Sequence, residues 1–560
     1  MAKLKKTLEE KGDIFSPEDF LEEEQLIAQT AELFIKNEVL PQIDSLEKKN
    51  YEVAKNLFQK SGELGLLAID VPEDYGGFAL GKKLSGLIAE KIGYGGAFSV
   101  SYNIHVGVGT LPYVYFGSEA QKQKYLPQLI SGDWIGAYAL TEAGAGSDAL
   151  SPKTRAIYNS KSDSWIINGE KQWITNAHIA NVFVVFCQTN DGMTAFSVEK
   201  DIAGVSIGAE EEKMGIHGSS TATLILEDVV VPSANILGEK GKGHQVAMNI
   251  LNLARLKLAF SNIGTAKQAF NFSLNYAKER QQFNRTLVEF TLIQEKLADM
   301  VTSIYASESA AYRTADMIDQ APTDEGITSL KAFAMECAIN KVRCSEMLGH
   351  VTDEAVQIHG GYGYMRDYDV ERLYRDARIS RIFEGTNEIN RLTIAKNLLH
   401  KHSSKDITIN TPTPLHQDRN SQFIELGKEL LSLSLEAVSN AKIDINREQQ
   451  YARLLANIIT ELYTMESTYM RTLKLQHRKQ NQKWKDLATD IICEQCFQYL
   501  KQQTISLISA AILDEKERFV AFANIENYQI PLYSNLLLKK RQLAQILIDQ
   551  PKLLKGRELK

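Results

Sequence analysis

Cysteine is scarce in this chain, with five residues in 560. So few thiols exclude a fold held together by a disulfide framework and favour a reducing compartment. Long apolar runs are also missing, since the longest, such as residues 505–513, are too short to span a bilayer. Residues 1–15 are charged throughout and lack the apolar core of a signal peptide. We therefore expect a soluble, cytoplasmic protein.

An excess of basic residues is absent as well, because 63 Lys and Arg stand against 70 Asp and Glu, a net charge of −7. A surface of that sign does not attract nucleic acid as a whole. Hydrophobic residues make up 44% and charged residues 24% of the chain, as in ordinary globular proteins. A chain of 560 residues is too long for one hydrophobic core, so we predict several domains.

The hydrophobic period changes along the chain and divides it. Residues 1–135 have helical spacing, residues 136–240 alternate with the period of strands, and residues 241–400 return to long helical patterns. Residues 401–421 are polar, contain two prolines and predict a linker, and residues 422–560 are helical again. We predict a mainly α-helical protein with a central β domain and an additional C-terminal helical domain.

Local signals predict the first helix. Ser16 and Pro17 fit the N-cap and the first helical position, followed by an acidic turn. Apolar residues then recur at helical spacing and should share one buried face. They are Leu26, Ile27, Ala31, Leu33 and Phe34.

Further signals predict a turn, a helix start and several longer elements. Asn168-Gly169 between apolar flanks is typical of a β-hairpin turn. Ser118 and Gln121 form a candidate capping box for a helix that ends near Gly132. We expect strands over residues 182–187, 194–198 and 221–231, and long helices over 248–278 and 287–319.

Residues 378–389, RISRIFEGTNEI, concentrate polar chemistry. Glu384 stands before Gly385, which lets the backbone approach a ligand closely. In an apolar environment such a carboxylate could act as a general base. The same residues also fit an ordinary helix start, with Thr386 or Asn387 as the cap and Glu388 in the first turn.

Residues 138–148, YALTEAGAGSD, and residues 172–177, QWITNA, could together bind a flat or anionic ligand. Glycines beside Thr141 would let backbone amides approach it. Trp173 could stack on a ring while Thr175 bonds to the edge of that ring. A Gly-x-Gly fragment outside a βαβ unit is weak evidence, and a surface loop and a core tryptophan are the simpler interpretations.

Residues 280–283, RQQF, place an arginine fork beside an aromatic ring, which suits a phosphate-bearing ligand. Residues 357–367, QIHGGYGYMRD, hold three glycines in four positions and allow close backbone approach. Simpler interpretations exist for both. A basic residue favours a helix C-terminus, and glycines commonly end helices.

Together these segments resemble the acyl-CoA dehydrogenase flavoprotein family. Residues 139–151 satisfy its first signature and residues 357–376 its second, and the resemblance covers residues 15–400 in the expected order. Residues 218–223, GSSTAT, and the long C-terminal extension look most like the very-long-chain branch. The resemblance implies an α-helical N domain, an antiparallel β-barrel and a four-helix bundle, followed by the extra helical domain.

The resemblance also implies FAD as the cofactor and acyl-CoA as the substrate. Thr141 would reach the flavin edge, Trp173 would flank the isoalloxazine, and Thr175 would bond near its N5. Arg280 and Phe283 would contact the FAD of a neighbouring subunit. The implied cofactor-binding residues are Tyr138, Leu140, Thr141, Gly146, Ser147, Trp173, Ile174, Thr175, Arg280, Phe283, Gln357, Gly360, Gly361, Thr386 and Glu388. The implied acyl-CoA-binding residues are Ser147, Asn252, Arg255 and Gly385.

In this family a carboxylate base removes the thioester α-proton and hydride passes from the β carbon to the flavin, giving a trans-2-enoyl-CoA. Glu384 falls on that base. Some members carry the base instead just before the arginine that matches Arg255, but Ala254 occupies that position here. Glu384 is therefore the expected catalytic residue, and no metal site is expected.

The resemblance implies a role in fatty-acid β-oxidation on long-chain substrates, with electron transfer flavoprotein as the acceptor. An acyl-CoA oxidase would share the same active site. The very-long-chain branch also implies a homodimer, whose extension covers the face used for tetramers elsewhere and helps to bind membrane at its periphery.

Residues 401–560 carry 23 Lys and Arg against 18 Asp and Glu, a net charge of +5. Basic groups occur in residues 471–485 and 552–560, where a solvated helix end is as good an interpretation as a membrane contact. So small an excess does not predict nucleic-acid binding. A scaffold role on the same fold is a further alternative, against which the complete Glu384 site argues. Cys493 and Cys496 lack a second pair and are expected to be buried thiols rather than metal ligands.

Overall fold

The computed structural model describes residues 14–321, 327–404, 418–527 and 533–550. The N-terminal part is α-helical, as expected. Ser118 caps the last of its helices by accepting a hydrogen bond from the Gln121 backbone N–H at 3.3 Å, and Gly132 ends it in the left-handed conformation. The capping-box prediction is therefore confirmed. The helices are α1 Glu22–Phe34, α2 Ile43–Glu47, α3 Tyr51–Glu63, α4 Lys82–Ile92, α5 Ala97–Ile104, α6 Leu111–Phe116 and α7 Glu119–Ser131.

The first helix begins later than predicted. Ser16 precedes only a short 3-10 turn, Pro17–Asp19, and α1 starts at Glu22. Leu26 and Leu33 are 49% and 47% exposed, so the prediction that they share the buried face is wrong. The reason is that α1 packs mainly against one other helix, α4, and therefore buries only a narrow stripe.

The middle part is one eight-stranded sheet. Its strands are β1 Gly136–Ala139, β2 Arg155–Asn159, β3 Ser164–Thr175, β4 Val182–Thr189, β5 Gly192–Glu199, β6 Val205–Glu210, β7 Thr221–Pro232 and β8 Ile236–Leu237. Their order in the sheet is β6-β7-β3-β2-β4-β5-β8, with β1 beside β4. The three predicted strands lie within β4, β5 and β7. Neighbouring strands are antiparallel, except that β4 pairs in parallel with β1 and, at one residue, with β2. The expected β domain is confirmed, but the wholly antiparallel arrangement is wrong at these two pairs.

Asn168-Gly169 does not turn the chain, and the hairpin prediction is wrong. β3 runs through both residues, and Gly169 has a φ of +147° at a register shift against β7. Glycine is needed there because an added Cβ would lie 2.7 Å from the Thr154 Cα. Asn168 accepts a hydrogen bond from the Asp228 backbone N–H at 2.8 Å instead of closing a turn. The pair therefore forms a β-bulge.

The next part is a helical bundle in which α11 (Ala334–His359) packs against α8 (Gly243–Glu279), α9 (Thr291–Asp319) and α13 (Asn387–Ser403). The helices predicted over residues 248–278 and 287–319 are confirmed as α8 and α9, with shifted ends. A two-residue hairpin pair, β9 and β10, joins them. The elements are α8 Gly243–Glu279, β9 Gln281–Gln282, β10 Arg285–Thr286, α9 Thr291–Asp319, α10 Ile327–Ala332, α11 Ala334–His359, α12 Asp369–Ala377 and α13 Asn387–Ser403.

The C-terminal extension is helical, as predicted, and packs into the rest of the molecule. Most of its core packs against α9, α11 and α13, while Trp484, Leu487 and Leu543 join the core shared by the N-terminal part and the bundle. The predicted linker lies mostly outside the described residues. The helices are α14 Arg419–Asn440, α15 Gln449–His477, α16 Lys483–Ala511, α17 Glu515–Asn527 and α18 Leu536–Asp549.

Three residues of the basic stretch 471–485 are buried, so the interpretation of a solvated helix end is wrong for them. They join the extension to the N-terminal segment and to α9, and are not available to a membrane surface. The basic residues 552–560 lie outside the described residues. The ion pairs are Arg471 with Glu18 and Glu308, Lys474 with Asp19, and Lys485 with Glu18.

The described residues contain no helix that is both long enough and apolar enough to cross a membrane. All five cysteines are buried and free of disulfides. Cys493 and Cys496 lie inside α16, so the prediction of buried thiols is confirmed.

Candidate active site

Glu384 lies in a left-handed turn between α12 and α13. Its φ is +56° and that of Gly385 is +81°. A non-glycine residue in this conformation costs about 1–3 kcal/mol, and such strain collects at functional sites. Thr386 then caps α13, since its Oγ1 accepts a hydrogen bond from the Ile389 backbone N–H at 3.2 Å. The helix-cap interpretation is correct for Thr386, but Glu384 stands outside the helix.

Three helices hold this turn by its backbone carbonyls. Arg255 of α8 donates from Nε to the Glu384 carbonyl at 3.1 Å. Lys341 of α11 donates from Nζ to the Gly385 carbonyl at 2.7 Å, and Asn390 of α13 donates to the same oxygen at 2.8 Å. These bonds explain how the strained turn persists.

The Glu384 carboxylate accepts no hydrogen bond from the residues that the structure describes. Burial raises its pKa to about 7, although the positive charges of Arg255 and Lys341 oppose that rise. A free glutamate has a pKa of about 4.3 and is a weak base. At a pKa near neutrality, the carboxylate can accept a proton and release it again.

Lys341 and Asn390 are missing from the residues predicted from the sequence. Lys341 is fully buried, and burial lowers its pKa to about 7 although Glu384 opposes that change. Both residues act on backbone carbonyls, and Lys341 does so across 44 residues of sequence. The sequence signal for Lys341 is weak: the lysine stands among mostly small and apolar residues in AINKVRC, residues 338–344. A lysine that such a segment buries is unusual and needs a partner.

A buried charge fixes the loop of residues 138–148. Glu142 pairs with Lys171 at 2.7 Å and accepts hydrogen bonds from the backbone N–H groups of Lys153 at 2.6 Å and Thr154 at 3.1 Å. Burial alone would raise the Glu142 pKa, but these partners hold it below its ordinary value. Glu142 is a further residue that the sequence analysis did not identify.

The same loop reaches both β3 and Glu384. The Thr141 carbonyl accepts a hydrogen bond from the Gln172 backbone N–H at 2.9 Å, so segments 138–148 and 172–177 are adjacent. The pKa of Tyr138 is raised well above its usual range by burial and by the nearby charge of Glu384. A ligand bound along this loop would therefore lie beside the carboxylate.

Trp173 is not a core tryptophan. Its φ is +57° and its side chain is 55% exposed at the end of β3. The simpler interpretation of this tryptophan is therefore wrong. An exposed indole held in a strained backbone conformation is suited to stack on a ligand ring.

The three glycines assigned to the cofactor face open space. A Cβ added to Gly146, Gly360 or Gly361 would meet no atom within 4 Å. Gly360 also ends α11 with a φ of +61°, so the interpretation that a glycine ends the helix here is confirmed. Packing does not account for the lack of side chains at these positions, and the residues fit a large bound cofactor such as FAD.

The remaining assigned residues divide by burial. Leu140, Ile174, Asn252 and Arg255 are buried. Asn252 and Arg255 form a pair on α8 beside Glu384, with an Nη1–Oδ1 distance of 3.0 Å. Thr175 and Thr386 are half-buried, whereas the exposed members are Ser147, Gln357 and Glu388.

Arg280 and Phe283 lie on a separate surface. Phe283 is 87% exposed, and the Arg280 guanidinium lies 5.3 Å from the centre of the Tyr362 ring, next to Gly360 and Gly361. Segments 280–283 and 357–364 are therefore adjacent, and their contact with the FAD of a neighbouring subunit stays a prediction. No hydrogen bond, ion pair or ring contact of the described residues joins this surface to Glu384.

Family profiles cover most of the chain. Those described as the N-terminal, middle and C-terminal domains of acyl-CoA dehydrogenase match residues 21–133, 137–229 and 241–399. A second profile described as an acyl-CoA dehydrogenase C-terminal domain matches residues 426–522, within the extension. The chain belongs to the acyl-CoA dehydrogenase family. Enzymes of this family use FAD and act on the CH–CH group of acyl-CoA.

Two similar acyl-CoA dehydrogenases match the chain over almost its whole length, and a third matches its first three domains. A probable acyl-CoA dehydrogenase of Bacillus subtilis is 42% identical, with 96% of each chain covered. A crystal structure of an acyl-CoA dehydrogenase complexed with FAD from Bacillus anthracis is 41% identical, with a TM-score of 0.92 and 96% of each chain covered. The human mitochondrial short-chain-specific enzyme is 39% identical and covers 70% of this chain and 93% of its own. Similarity of the core domains therefore does not single out the very-long-chain branch.

Proposed function

We propose that this acyl-CoA dehydrogenase family member converts acyl-CoA to trans-2-enoyl-CoA with Glu384 as the general base. The observation that supports this assignment is the Glu384 turn itself. Its carboxylate has a pKa of about 7 and lies beside Arg255 and the open loop that contains Gly146. We extend the proposal to long-chain substrates of β-oxidation because residues 218–223 and the extension resemble the very-long-chain branch.

In the proposed reaction Glu384 takes a proton from the thioester α carbon. A hydride leaves the β carbon, so the bond between the two carbons becomes a double bond. FAD, when bound, supplies the acceptor for that hydride. The thioester carbonyl gains negative charge as the proton leaves, and we assign the backbone N–H of Glu384 as a donor to it. Arg255 and Asn390 fix the turn before substrate binds, which lowers the cost of orientation.

The rate of flavin bleaching by acyl-CoA should rise with pH until about pH 7 and then level off. Glu384 accepts the α-proton only when ionised, and burial places its pKa at about 7. Below that value each pH unit should lower the rate about tenfold. Anaerobic rapid mixing across the range from about pH 5.5 to 8.5 measures this, and a profile that is flat through neutrality would contradict the assignment.

Gly146→Val should weaken FAD binding without harming the fold. A Cβ at Gly146 meets no protein atom within 4 Å, so the added side chain extends into the open space that a bound ligand would occupy. Overpacking of about 1–3 kcal/mol corresponds to a Kd raised about 5- to 150-fold, which fluorescence titration of the apoprotein measures. Gly144→Val is the matched control, since its Cβ would make an ordinary 3.6 Å contact with the Lys153 Nζ. Equal FAD affinity in both variants would refute the placement of the cofactor.

We propose electron transfer flavoprotein as the electron acceptor. An oxidase would carry the same base and pass its electrons to oxygen. Oxygen uptake and reduction of electron transfer flavoprotein should therefore be measured in parallel with one acyl-CoA. Reduction of the flavoprotein without matching oxygen uptake supports a dehydrogenase, and the reverse identifies an oxidase. Anaerobic bleaching with acyl-CoAs of increasing length then tests the preference for long chains.

We also propose a homodimer in which Arg280 and Phe283 reach the FAD of the other subunit. Phe283 is exposed, and so are Tyr362 and Tyr364, at 48% and 84%, in the segment that Arg280 contacts. Exposed aromatic residues of this kind are enriched in the cores of interfaces. Sedimentation velocity of the holoenzyme tests the proposal, and the mass of a single subunit would contradict it.

A cytoplasmic location with peripheral membrane contact stays a prediction. Arg471, Lys474 and Lys485 are already in ion pairs, so a membrane contact would use other residues of the extension. Sedimentation of the full chain with anionic liposomes tests it, and protein that stays entirely in the supernatant would count against it.

A further inference from the structure

Buried and half-buried polar side chains connect the extension to the Glu384 turn. None belongs to the assigned cofactor or substrate residues. We call this set the Lys341 network. It consists of Lys341, Asn387, Glu346, Arg391 and Asn457.

At the inner end of the Lys341 network, Lys341 and Asn387 are buried in the bundle. The Lys341 ammonium donates to the Gly385 carbonyl at 2.7 Å and to the Asn387 Oδ1 at 2.8 Å. The Asn387 amide donates in turn to a Glu346 carboxylate oxygen at 3.0 Å. A buried lysine needs such partners, because an unpaired ammonium away from water is costly. Asn387 therefore helps to keep Lys341 on the Gly385 carbonyl.

The outer half connects the bundle to the extension. Arg391 forms a two-bond pair with Glu346, at 2.8 and 3.0 Å, and donates from Nε to the Asn457 Oδ1 at 2.8 Å. Asn457, on α15, donates to the Tyr499 hydroxyl at 3.2 Å and to Gln503 at 3.1 Å, both on α16. A polar cavity of about 220 Å³ adjoins these residues, so water can reach this half.

We propose that Lys341 is a positioning residue for Glu384 and that the extension, through Asn457 and Arg391, holds Lys341 in place. This inference rests on the proposed role of Glu384 as the base. The extension would then contribute to catalysis in this chain from outside the active site, through the backbone carbonyl that follows the base.

Lys341 also acts on Glu384 through its charge. The charges of Arg255 on α8 and Lys341 on α11 lower the pKa of the Glu384 carboxylate. The charge of Glu384 in turn raises the pKa of Tyr138 on β1. Glu388 on α13 acts on Lys341. Because a nearby cation lowers the pKa of a carboxylate, removing Lys341 should leave Glu384 protonated up to a higher pH.

Two substitutions of Lys341 separate its effect on the position of the Glu384 turn from the effect of its charge. Lys341→Gln removes the charge but keeps a donor for the Gly385 carbonyl, whereas Lys341→Met removes both. In both variants the acidic limb of the pH profile of the bleaching rate should shift to higher pH by about one unit. Lys341→Met should in addition lower the plateau rate by about 10²-fold, and Lys341→Gln should lower it less. FAD content and the thermal midpoint, measured on the same samples, identify variants that have simply failed to fold.

Asn457→Leu tests the contribution of the extension. It should lower the plateau rate about 2- to 30-fold without changing the KM for acyl-CoA. Asn420→Leu is the matched control, since Asn420 is also an asparagine on a helix of the extension but bonds to Asp490 rather than to Arg391. Equal plateau rates in the two variants would refute the claim that the extension helps to hold Lys341 in place.

The outcome for Lys341 is distinguishable from failure of the proposed function. If Glu384→Gln is inactive but folded Lys341→Met keeps the parental plateau and pH limb, the Lys341 inference alone is refuted. If Glu384→Gln stays active, the assignment of the base is refuted, and the Lys341 inference is refuted with it.

Discussion

Glu384→Gln should eliminate flavin bleaching by acyl-CoA while the protein stays yellow. Glutamine is nearly isosteric, and the turn is held by backbone carbonyls that Arg255 and Asn390 still bind. The lost function is proton abstraction, since an amide does not accept the α-proton. Removing a general base costs on the order of 10²–10⁴-fold in rate. Anaerobic rapid mixing with acyl-CoA measures the rate directly.

The control for this substitution is Glu436→Gln, at an exposed position on α14 far along the chain from the turn. It should bleach at the parental rate. Glu384→Gln that bleaches within tenfold of the parent would overturn the assignment, because a positioned base contributes at least about 10²-fold. Loss of FAD from Glu384→Gln would instead assign the residue to cofactor binding.

Arg471→Met should lower the free energy of unfolding substantially. Arg471 is 3% exposed and pairs with Glu18 at 2.7 Å and Glu308 at 2.6 Å, and its guanidinium lies 4.4 Å from the Tyr305 ring centre. Removing one partner of a buried pair costs about 3–5 kcal/mol, since the opposite charge is left without compensation. We expect about 3 kcal/mol, because Lys485 and Lys267 remain to pair with the two glutamates. Urea unfolding followed by circular dichroism measures it.

Arg453→Met is the matched control for Arg471→Met. Arg453 is an exposed arginine on the same helix, α15, and should change the free energy of unfolding by less than about 0.5 kcal/mol. If the two variants unfolded at the same urea concentration, the buried pairs of Arg471 would contribute nothing to stability. A loss confined to the extension would appear as a separate early transition.

The order of helical and sheet parts could be predicted from the sequence because it follows from local composition and patterning. The helix over residues 248–278 is a long stretch without proline, and the strand over residues 182–187 is a short run of mainly β-branched and aromatic residues. Where the prediction failed, tertiary contacts decided. Asn168-Gly169 has the sequence of a turn, but close packing of Gly169 on Thr154 makes it a bulge.

The candidate site divides in the same way. Glu384, Gly146 and Trp173 lie in short segments whose composition is unusual, and the resemblance to a family assigned them roles. The position of Lys341 in a mostly small and apolar segment points to burial but not to its role, and Glu142 has no such signal. Each acts on backbone groups that only folding brings close. Similarly, the charge of residues 471–485 was visible, but the carboxylates that pair with it lie near the start of the chain.

Those last pairs bear on how the chain is made. Glu18 meets Arg471 across 453 residues of sequence, and Lys474 binds the Ile14 carbonyl across 460. At about 5–20 residues per second, synthesis would reach Arg471 only about 20–90 s after the N-terminal segment emerges. Such high contact order delays the closing step of folding. Throughout that interval Glu18 and Asp19 lack their later partners, and a truncated chain that ends before α15 could never supply them.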